Sequence, residues 1–346
     1  MANCNELFKT FNSTIRLNEE SREILKSVRN SLREKMNSRF KQIKDIDNHT
    51  LEFQSQGSFI MDTIIKPKDD DYDLDDGVYF IGSLTQEKRP TTQQFHDAVI
   101  IAVGTDENYA TITDKETCVR VSYEKEKFHI DLPIYYANKI NPELAHTKED
   151  WILSNPIKFI AWFEKIAESS FREELILEKN LFSEEYKTWL DDIRKKDVQL
   201  RRIVRYLKAW GDDLRGEMPP GIVMTILAAE NYVKNDRDDI ALKETLIKIR
   251  QYLKSNNCKC LRPTVPVGED LFKNYSQTKK QYFLDRLDTF IESAEQAVNH
   301  PNQKDACYKW QKHLGPRFPC SIAKDTIDGA NTYERPAIIG STAKSA

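Results

Sequence analysis

Apolar side chains recur at helical spacing near the start of the chain and through most of its second half. Residues 18–45 carry them every three or four positions, which predicts a long amphipathic helix. From about Asp150 onward the same spacing predicts a mainly helical region, broken by a long proline-containing loop at 257–270. The final residues, 326–346, include few core-forming side chains and predict a flexible tail.

Between these helical regions the pattern changes to alternating or continuous apolar residues rich in β-branched and aromatic side chains. Strands are predicted at 51–59, 72–80, 118–124 and 128–137, with a helix at 91–104 and a polar turn at 124–127. We therefore predict an α/β (α+β) fold. A lobe with a small, twisted, mixed sheet occupies residues 1–145, and a helical lobe occupies residues 146–325, with the first long helix bridging the two.

Composition excludes several classes of protein. The 346 residues carry a net charge of -3, which argues against a protein that holds duplex nucleic acid by bulk electrostatic attraction. The sequence includes no apolar run long enough to cross a bilayer, and its first residues lack the pattern of a secretory signal. Six cysteines are dispersed through the chain, which predicts reduced thiols and a cytoplasmic location.

The segment 70–76, DDYDLDD, places five carboxylates within seven residues at the edge of a predicted strand. Since residues two apart in a strand share a face, Asp73 and Asp75 point the same way, while Leu74 points into a core. Asp131 is the single acid within a neighbouring apolar strand, where a carboxylate is costly unless it is paired or binds a metal. Together the three acids predict a site for one or two divalent cations of the kind used in phosphoryl transfer.

Less specific explanations remain open for these acids. A run of charge is commonly a solvated loop, and a lone buried acid such as Asp131 can be satisfied by a neighbouring amide. His129 lies on the same predicted face as Asp131, where it can donate a hydrogen bond to that acid or face solvent. We assign His129 no role from the sequence.

Two further segments suit a phosphate-bearing substrate. Gly57 permits a tight turn after the first strand, and Ser58 with the following amides can donate hydrogen bonds to phosphates, although such pairs also mark ordinary turns. In the predicted helix 200–210, Arg201, Arg205 and Lys208 form a cationic stripe beside the apolar face. Lys208 is predicted to meet a triphosphate, while a solvated helix face remains the alternative for the two arginines.

Several blocks occur in the order found in one enzyme family. They are QGSFIMDT, DYDLDDGVY, CVRVSYEKEKFHIDLPIY, DWILSNPIKFIAWFE, LRRIVRYLKAW and CYKWQKHLGPRF. From about residue 50 to 320 the chain resembles the bacterial cGAS/DncV-like nucleotidyltransferases, most closely their cyclic GMP-AMP synthase branch. The resemblance implies a polymerase-β-like nucleotidyltransferase lobe followed by a helical lobe like that of oligoadenylate synthase.

The resemblance also implies roles for individual residues. Catalysis and metal binding would fall to Asp73, Asp75 and Asp131, and nucleotide binding to Gln56, Gly57, Ser58, Arg120 and Lys208. Arg120 would contact a base, although a cross-strand salt bridge is a competing explanation. The segment 219–225, PPGIVMT, is apolar where that branch carries serines, so the base preference of the branch does not transfer to this chain.

The expected activity is Mg²⁺-dependent joining of nucleoside triphosphates, with Mn²⁺ as an alternative cation. ATP and GTP are the expected substrates, and a purine-containing cyclic dinucleotide for anti-phage signalling is the expected product. A linear-product or tRNA-tailing nucleotidyltransferase and a catalytically silent nucleotide-binding module remain alternatives. The resemblance further implies a cytoplasmic monomer that needs neither membrane nor duplex DNA. It also suggests conjugation through the C-terminal tail, or an operon-encoded regulator, as an additional interaction.

Overall fold

The computed structural model describes residues 1–43, 46, 49–69, 71–105, 111–137, 141–167 and 197–325. The predicted flexible tail, 326–346, lies outside these residues. The boundaries predicted for the lobes, after residues 145 and 325, stay predictions. None of the described helices is both long and apolar enough to span a bilayer.

Within the described residues, seven strands form a mixed sheet in the first part of the structure. Its strands are β1 (Thr50–Gln56), β2 (Tyr72–Ile81), β3 (Thr111–Asp114), β4 (Cys118–Tyr123), β5 (Phe128–Ala137), β6 (Pro142–His146) and β7 (Asp150–Leu153). The order is β1-β2-β5-β4-β3, with β6 paired to the end of β5 and β7 paired to β6. The β2–β5 pair is parallel and the others are antiparallel.

Helices cover the sheet and build the rest of the described chain. They are α1 (Asn5–Ile15), α2 (Glu19–Phe40), α3 (Gly57–Ile60), α4 (Thr92–Val103), α5 (Pro156–Ala167), α6 (Gln199–Leu214), α7 (Gly221–Glu230), α8 (Asp238–Ser255), α9 (Gln277–Asn299) and α10 (Gln303–Leu314). Short 3₁₀ helices occupy Gln86–Lys88 and Cys320–Ile322. The predicted α/β class, with a mixed sheet and a helical C-terminal part, is confirmed.

The packing of α1 and α2 explains how the N-terminal segment joins the sheet to the helices. Helix α2 packs against α4 beside the sheet, whereas α1 packs against α6 and α8. Phe8 of α1 lies edge-on to Tyr206 and Trp310, with ring centroids 5.1 and 4.9 Å apart. Such edge-to-face contacts add to the burial of aromatic area. The helix predicted at 18–45 is α2, which begins at Glu19 and ends at Phe40, and the separate helix α1 before it makes the contacts with the helical part.

The helical region does not begin at Asp150 as predicted. Residues Asp150–Leu153 are strand β7, because their backbone pairs with β6, and such pairing cannot be read from local spacing. Helix α5 begins at Pro156, where proline needs no hydrogen-bond acceptor for its nitrogen. The side chain of Asn155 accepts a hydrogen bond from the amide of Lys158 at 3.0 Å and so caps the first turn.

The expectation that all cysteines are reduced thiols is wrong for one pair. Cys307 of α10 and Cys320 form a disulfide, with their Cα atoms 5.6 Å apart. The chain reverses after α10 at Gly315, and this reversal brings the two cysteines together. Cys4, Cys118, Cys258 and Cys260 form no disulfide and are buried, as suits small apolar side chains.

Candidate active site

Parallel pairing of β2 with β5 brings the predicted acids together. Asp73 lies opposite His129 in the register, and Asp75 lies opposite Asp131, so all four side chains share one face of the sheet. Asp73, His129 and Asp131 each offer a ligand atom, and these atoms all lie within 4.8 Å of one another. Alternation along two paired strands therefore builds this cluster from residues far apart in sequence.

Asp75 carries the clearest sign of excess negative charge. Burial, followed by the charges of Asp73 and Asp131, raises the pKa of Asp75 well above its usual range. Lys208 and Arg120 act in the opposite direction without cancelling the rise in pKa. A divalent cation bound among these oxygens would relieve this repulsion, so the donors present fit a hard cation such as Mg²⁺ or Mn²⁺.

Asp71 and Asp76, the other acids of the segment 70–76 within the described residues, have separate places. Asp76 points to the opposite face, is fully buried, and accepts hydrogen bonds from Arg33 Nε and Ser55 Oγ, each at 2.7 Å. Asp71 lies at the mouth of the site, with its Oδ1 3.1 Å from Nδ1 of His129. The described residues 71–76 thus contribute partly to a buried ion pair and partly to the lining of a cleft, rather than forming a solvated loop.

Arg120 pairs with Asp131 across strands β4 and β5. Its Nε and Nη2 atoms each donate to one carboxylate oxygen at 2.7 Å. The competing explanation for Arg120, a cross-strand salt bridge, is therefore what the structure contains, and contact with a base stays a prediction. A carboxylate has about four lone-pair positions, so this pairing still leaves Asp131 able to bind a cation.

Gly57 allows Asp75 to approach the turn between β1 and α3. Its φ is +69°, and a Cβ atom at this position would lie 2.0 Å from Oδ2 of Asp75. Gln56, just before it, donates through Nε2 to the hydroxyl of Tyr135 at 3.1 Å. The turn is thus closely fitted to the carboxylate, which no residue with a side chain would permit.

Cationic side chains hold the backbone that follows this turn. Arg201 donates to the carbonyl of Met61 at 2.7 Å, Arg205 donates to that of Asp62, and Lys208 donates to that of Thr63 at 3.1 Å. The three cations follow one face of α6, so a single helix binds three successive carbonyl oxygens.

The solvated helix face considered for Arg201 and Arg205 is wrong, because both side chains are fully buried. Arg201 forms a two-bond ion pair with Glu164 of α5, at 2.8 and 2.7 Å. Arg205 pairs with Asp62 and Asp197. These carboxylates compensate the guanidinium charges that would otherwise make burial costly.

A cleft of about 640 Å³ lies over the acids, within the range of small-molecule sites. Six predicted site residues line it: Gln56, Gly57, Ser58, Asp73, Asp75 and Lys208. Asp131 lies beside Asp75 in the sheet, and Arg120 lies beside Asp131 on the next strand. The opposite wall includes Ile222 of α7 and Arg262 and Val265 of the loop 257–270. The structure thus brings the predicted residues together, while their roles stay predictions.

Comparison with known proteins places this site within a family. Residues 51–135 match the family described as cyclic GMP-AMP synthase DncV-like, nucleotidyltransferase domain. The matched segment spans β1 to β5 and therefore includes all three predicted catalytic acids, so the sequence-based recognition of a nucleotidyltransferase is confirmed.

Relatives of the whole chain carry the same description. A cyclic GMP-AMP synthase of Escherichia coli (strain TW11681) is 25% identical over 303 residues, covering 79% of this chain and 69% of that protein. The cyclic GMP-AMP synthase of Vibrio cholerae serotype O1 is 27% identical over 287 residues, covering 72% of this chain and 64% of that protein. The matches thus span about two thirds of the length of these relatives.

Solved structures show that the fold extends beyond the nucleotidyltransferase domain. The V. cholerae di-nucleotide cyclase in complex with ATP and GTP superposes with a TM-score of 0.71 at 18% identity, covering 92% of this chain and 97% of that chain. The V. cholerae enzyme with the linear intermediate pppA(3′,5′)pG superposes with a TM-score of 0.70 at 20% identity. The helical part of the present chain therefore shares the architecture of those enzymes.

Two parts of the site were not identified from the sequence. His129 was given no role, although its position two residues before Asp131 already placed both side chains on one strand face. Glu164 was overlooked although it interrupts the apolar face of α5. Its partner on α6 is distant in sequence, so no local pattern could have identified the pair.

We expect Gly57→Ala to lower activity by about a hundredfold. The new methyl group must displace the Asp75 carboxylate, in addition to the strain of about 1–2 kcal/mol for a non-glycine residue at positive φ. Initial rates of pyrophosphate release would measure the loss. Gly216→Ala is the matched control, because Gly216 has φ +60° but no atom within 4 Å of the new Cβ. Equal losses in both variants would show that backbone strain alone is responsible.

Proposed function

We propose that the protein joins nucleoside triphosphates into a cyclic dinucleotide in the described cleft. The observation that carries this proposal is the convergence of Asp73, Asp75 and Asp131 beside Gly57 and Lys208. The names of the relatives support cyclic GMP-AMP as the product, and ATP with GTP as the substrates. Use of the product in anti-phage signalling is part of the proposal and follows from the family resemblance.

The proposed reaction is two successive nucleotidyl transfers. A ribose hydroxyl oxygen forms a bond to the α-phosphorus of a triphosphate, the bond from that phosphorus to the bridging oxygen breaks, and pyrophosphate leaves. The same exchange within the linear product closes the ring. A bound divalent cation would neutralise charge on the triphosphate and on the attacking and leaving oxygens.

The chain's own residues position the reactants for this transfer. Asp73 and Asp75 would hold the cation, and Asp131 would share it and accept the proton of the attacking hydroxyl. Lys208 reaches the cleft from α6 and would place its ammonium group against the triphosphate. Gly57 keeps the turn close to Asp75, so that phosphate oxygens and carboxylates can meet around one cation.

The test uses the purified full chain and pairs of α-³²P-labelled triphosphates with Mg²⁺ or Mn²⁺. We expect label to enter a product that resists phosphatase, because a ring has no terminal phosphate. Digestion with linkage-selective nucleases would then assign its bonds and bases. A phosphatase-sensitive ladder would instead indicate a linear or tailing enzyme. Absence of any pyrophosphate release with every pair would contradict the proposal of nucleotidyl transfer.

Lys208 predicts a pH dependence for triphosphate binding. Burial lowers its pKa to about 8, although Asp73 and Asp75 act to raise it. The ammonium charge is therefore present below pH 8 and lost above it in the free protein. We expect KM for the triphosphate to rise roughly tenfold between about pH 7.5 and 9.5. In Lys208→Met, KM should be high throughout and lack this rise, and an unchanged pH profile in that variant would refute the assignment.

A further inference from the structure

His129 lies where a ligand of the cation would lie. Its imidazole is opposite Asp73 in the β2–β5 register, and Nε2 is 4.0 Å from Oδ2 of Asp131. The side chain is only 10% exposed, so it is held in place by its surroundings. A separation of 4.0 Å is too long for a hydrogen bond, which leaves a gap between the nitrogen and the carboxylate.

Asp71 determines which nitrogen of His129 faces that gap. Its Oδ1 lies 3.1 Å from Nδ1, and a carboxylate can only accept a hydrogen bond, so Nδ1 is the donor. In the neutral imidazole the lone pair of Nε2 then faces the Asp131 carboxylate. Two acceptors facing each other across a gap favour a cation between them, and a carboxylate that orients a ligating histidine in this way is a common arrangement in metal sites.

The ion pair between Arg120 and Asp131 increases the need for Nε2 of His129 as a ligand of the cation. Because the guanidinium donates a hydrogen bond to each oxygen of Asp131, that carboxylate is a weaker ligand for a cation than a free one would be. Nε2 of His129 would add an electron pair for the cation and so compensate the weaker donation from Asp131. Nitrogen ligands favour first-row transition metals, whereas Mg²⁺ favours oxygen ligands alone.

We propose that His129, oriented by Asp71, is a nitrogen ligand of the cation and shifts the preference of the site from Mg²⁺ toward Mn²⁺. The inference rests on the proposed function, because that function requires a cation beside Asp73 and Asp131. It predicts a direct Mn²⁺–nitrogen bond in the protein without nucleotide, and tighter binding of Mn²⁺ than of Mg²⁺.

The direct test is pulsed electron paramagnetic resonance of Mn²⁺ bound to the full chain without nucleotide. We expect modulation from one directly bonded imidazole nitrogen, changing from the ¹⁴N to the ¹⁵N pattern in protein labelled with ¹⁵N-histidine. His129→Ala should abolish it. His146→Ala is the matched control, because His146 lies on β6 beside Glu116, and it should keep the signal. Absence of nitrogen modulation in the unsubstituted protein would overturn the proposal without any variant.

Binding constants give a second readout. In His129→Ala we expect Kd for Mn²⁺ to rise about tenfold or more and Kd for Mg²⁺ to change less than about twofold. Asp71→Ala should keep the nitrogen signal but weaken Mn²⁺ binding. Equal weakening for both cations, or a signal lost only in His146→Ala, would reject His129 as the ligand. Nitrogen modulation without any nucleotidyl transfer would support His129 as a ligand and reject the proposed function. Nucleotidyl transfer without nitrogen modulation would support the function and reject His129 as a ligand.

Discussion

Replacing Asp73 and Asp75 together by Asn is expected to abolish nucleotidyl transfer, with a fall in rate of at least about a thousandfold. The amides keep the shape of the carboxylates but remove the charge that would hold a cation. Because burial, followed by the charges of Asp73 and Asp131, raises the pKa of Asp75, replacing Asp73 and Asp75 by neutral amides should not lower the melting temperature. Labelled-product formation and thermal unfolding of the same preparation would measure both effects.

Asp76→Asn is the contrasting variant within the same strand. Asp76 faces away from the cleft and binds Arg33 and Ser55, so its loss should lower stability more than it lowers the rate per folded molecule. Substantial product from the Asp73→Asn, Asp75→Asn double variant would show that the catalytic acids have been misassigned. A double variant that unfolds would show instead that these carboxylates are structural.

Replacing Glu164 by Leu is expected to lower the free energy of unfolding by about 3–5 kcal/mol. The change removes the carboxylate that accepts two hydrogen bonds from Arg201, and neither side chain of this pair is exposed to solvent. Without this carboxylate the guanidinium of Arg201 stays buried with less compensating charge, which is costly. Urea unfolding, followed by circular dichroism, would measure the loss.

The double variant Glu164→Leu, Arg201→Met is the control for this prediction. Replacing both members of a buried ion pair by apolar residues of similar volume is often nearly neutral. We therefore expect most of the stability to return, apart from the hydrogen bond to the carbonyl of Met61. A double variant as unstable as Glu164→Leu would show that packing of Glu164, and not its charge, accounts for the loss.

The sequence predicted those parts of the site that follow from short-range geometry. Alternation in β2 put Asp73 and Asp75 on one face, and the same rule applied to β5 oriented Asp131. The sequence also predicted a tight turn at Gly57, although only the structure shows that the missing side chain makes room for the Asp75 carboxylate. Family resemblance added Gln56 and Arg120, which no spacing rule would have selected.

The features that the sequence did not predict all depend on partners distant along the chain. Strand β7 exists because β6 lies beside it. The sequence left a solvated position open for Arg205, which in the structure pairs with Asp62 and Asp197. It predicted a reduced thiol for Cys307, which in the structure forms a disulfide with Cys320 across the turn at Gly315. Local periodicity carries no information about these long-range pairings, since the same pattern is compatible with several of them.

The contacts from α6 to the carbonyls of residues 61–63 have a consequence for how such enzymes diverge. Main-chain oxygens are the same whatever residue carries them, so the identity of Met61 can change without loosening this attachment, whereas the hydroxyl of Thr63 also accepts a hydrogen bond from Lys208 at 3.3 Å. The cations on the helix have no such freedom, because only Arg and Lys reach and donate in this way. Among relatives we therefore expect residue 61 to vary while the cations of α6 stay constant, so that replacing Met61 alone by the residue of a relative leaves the protein folded.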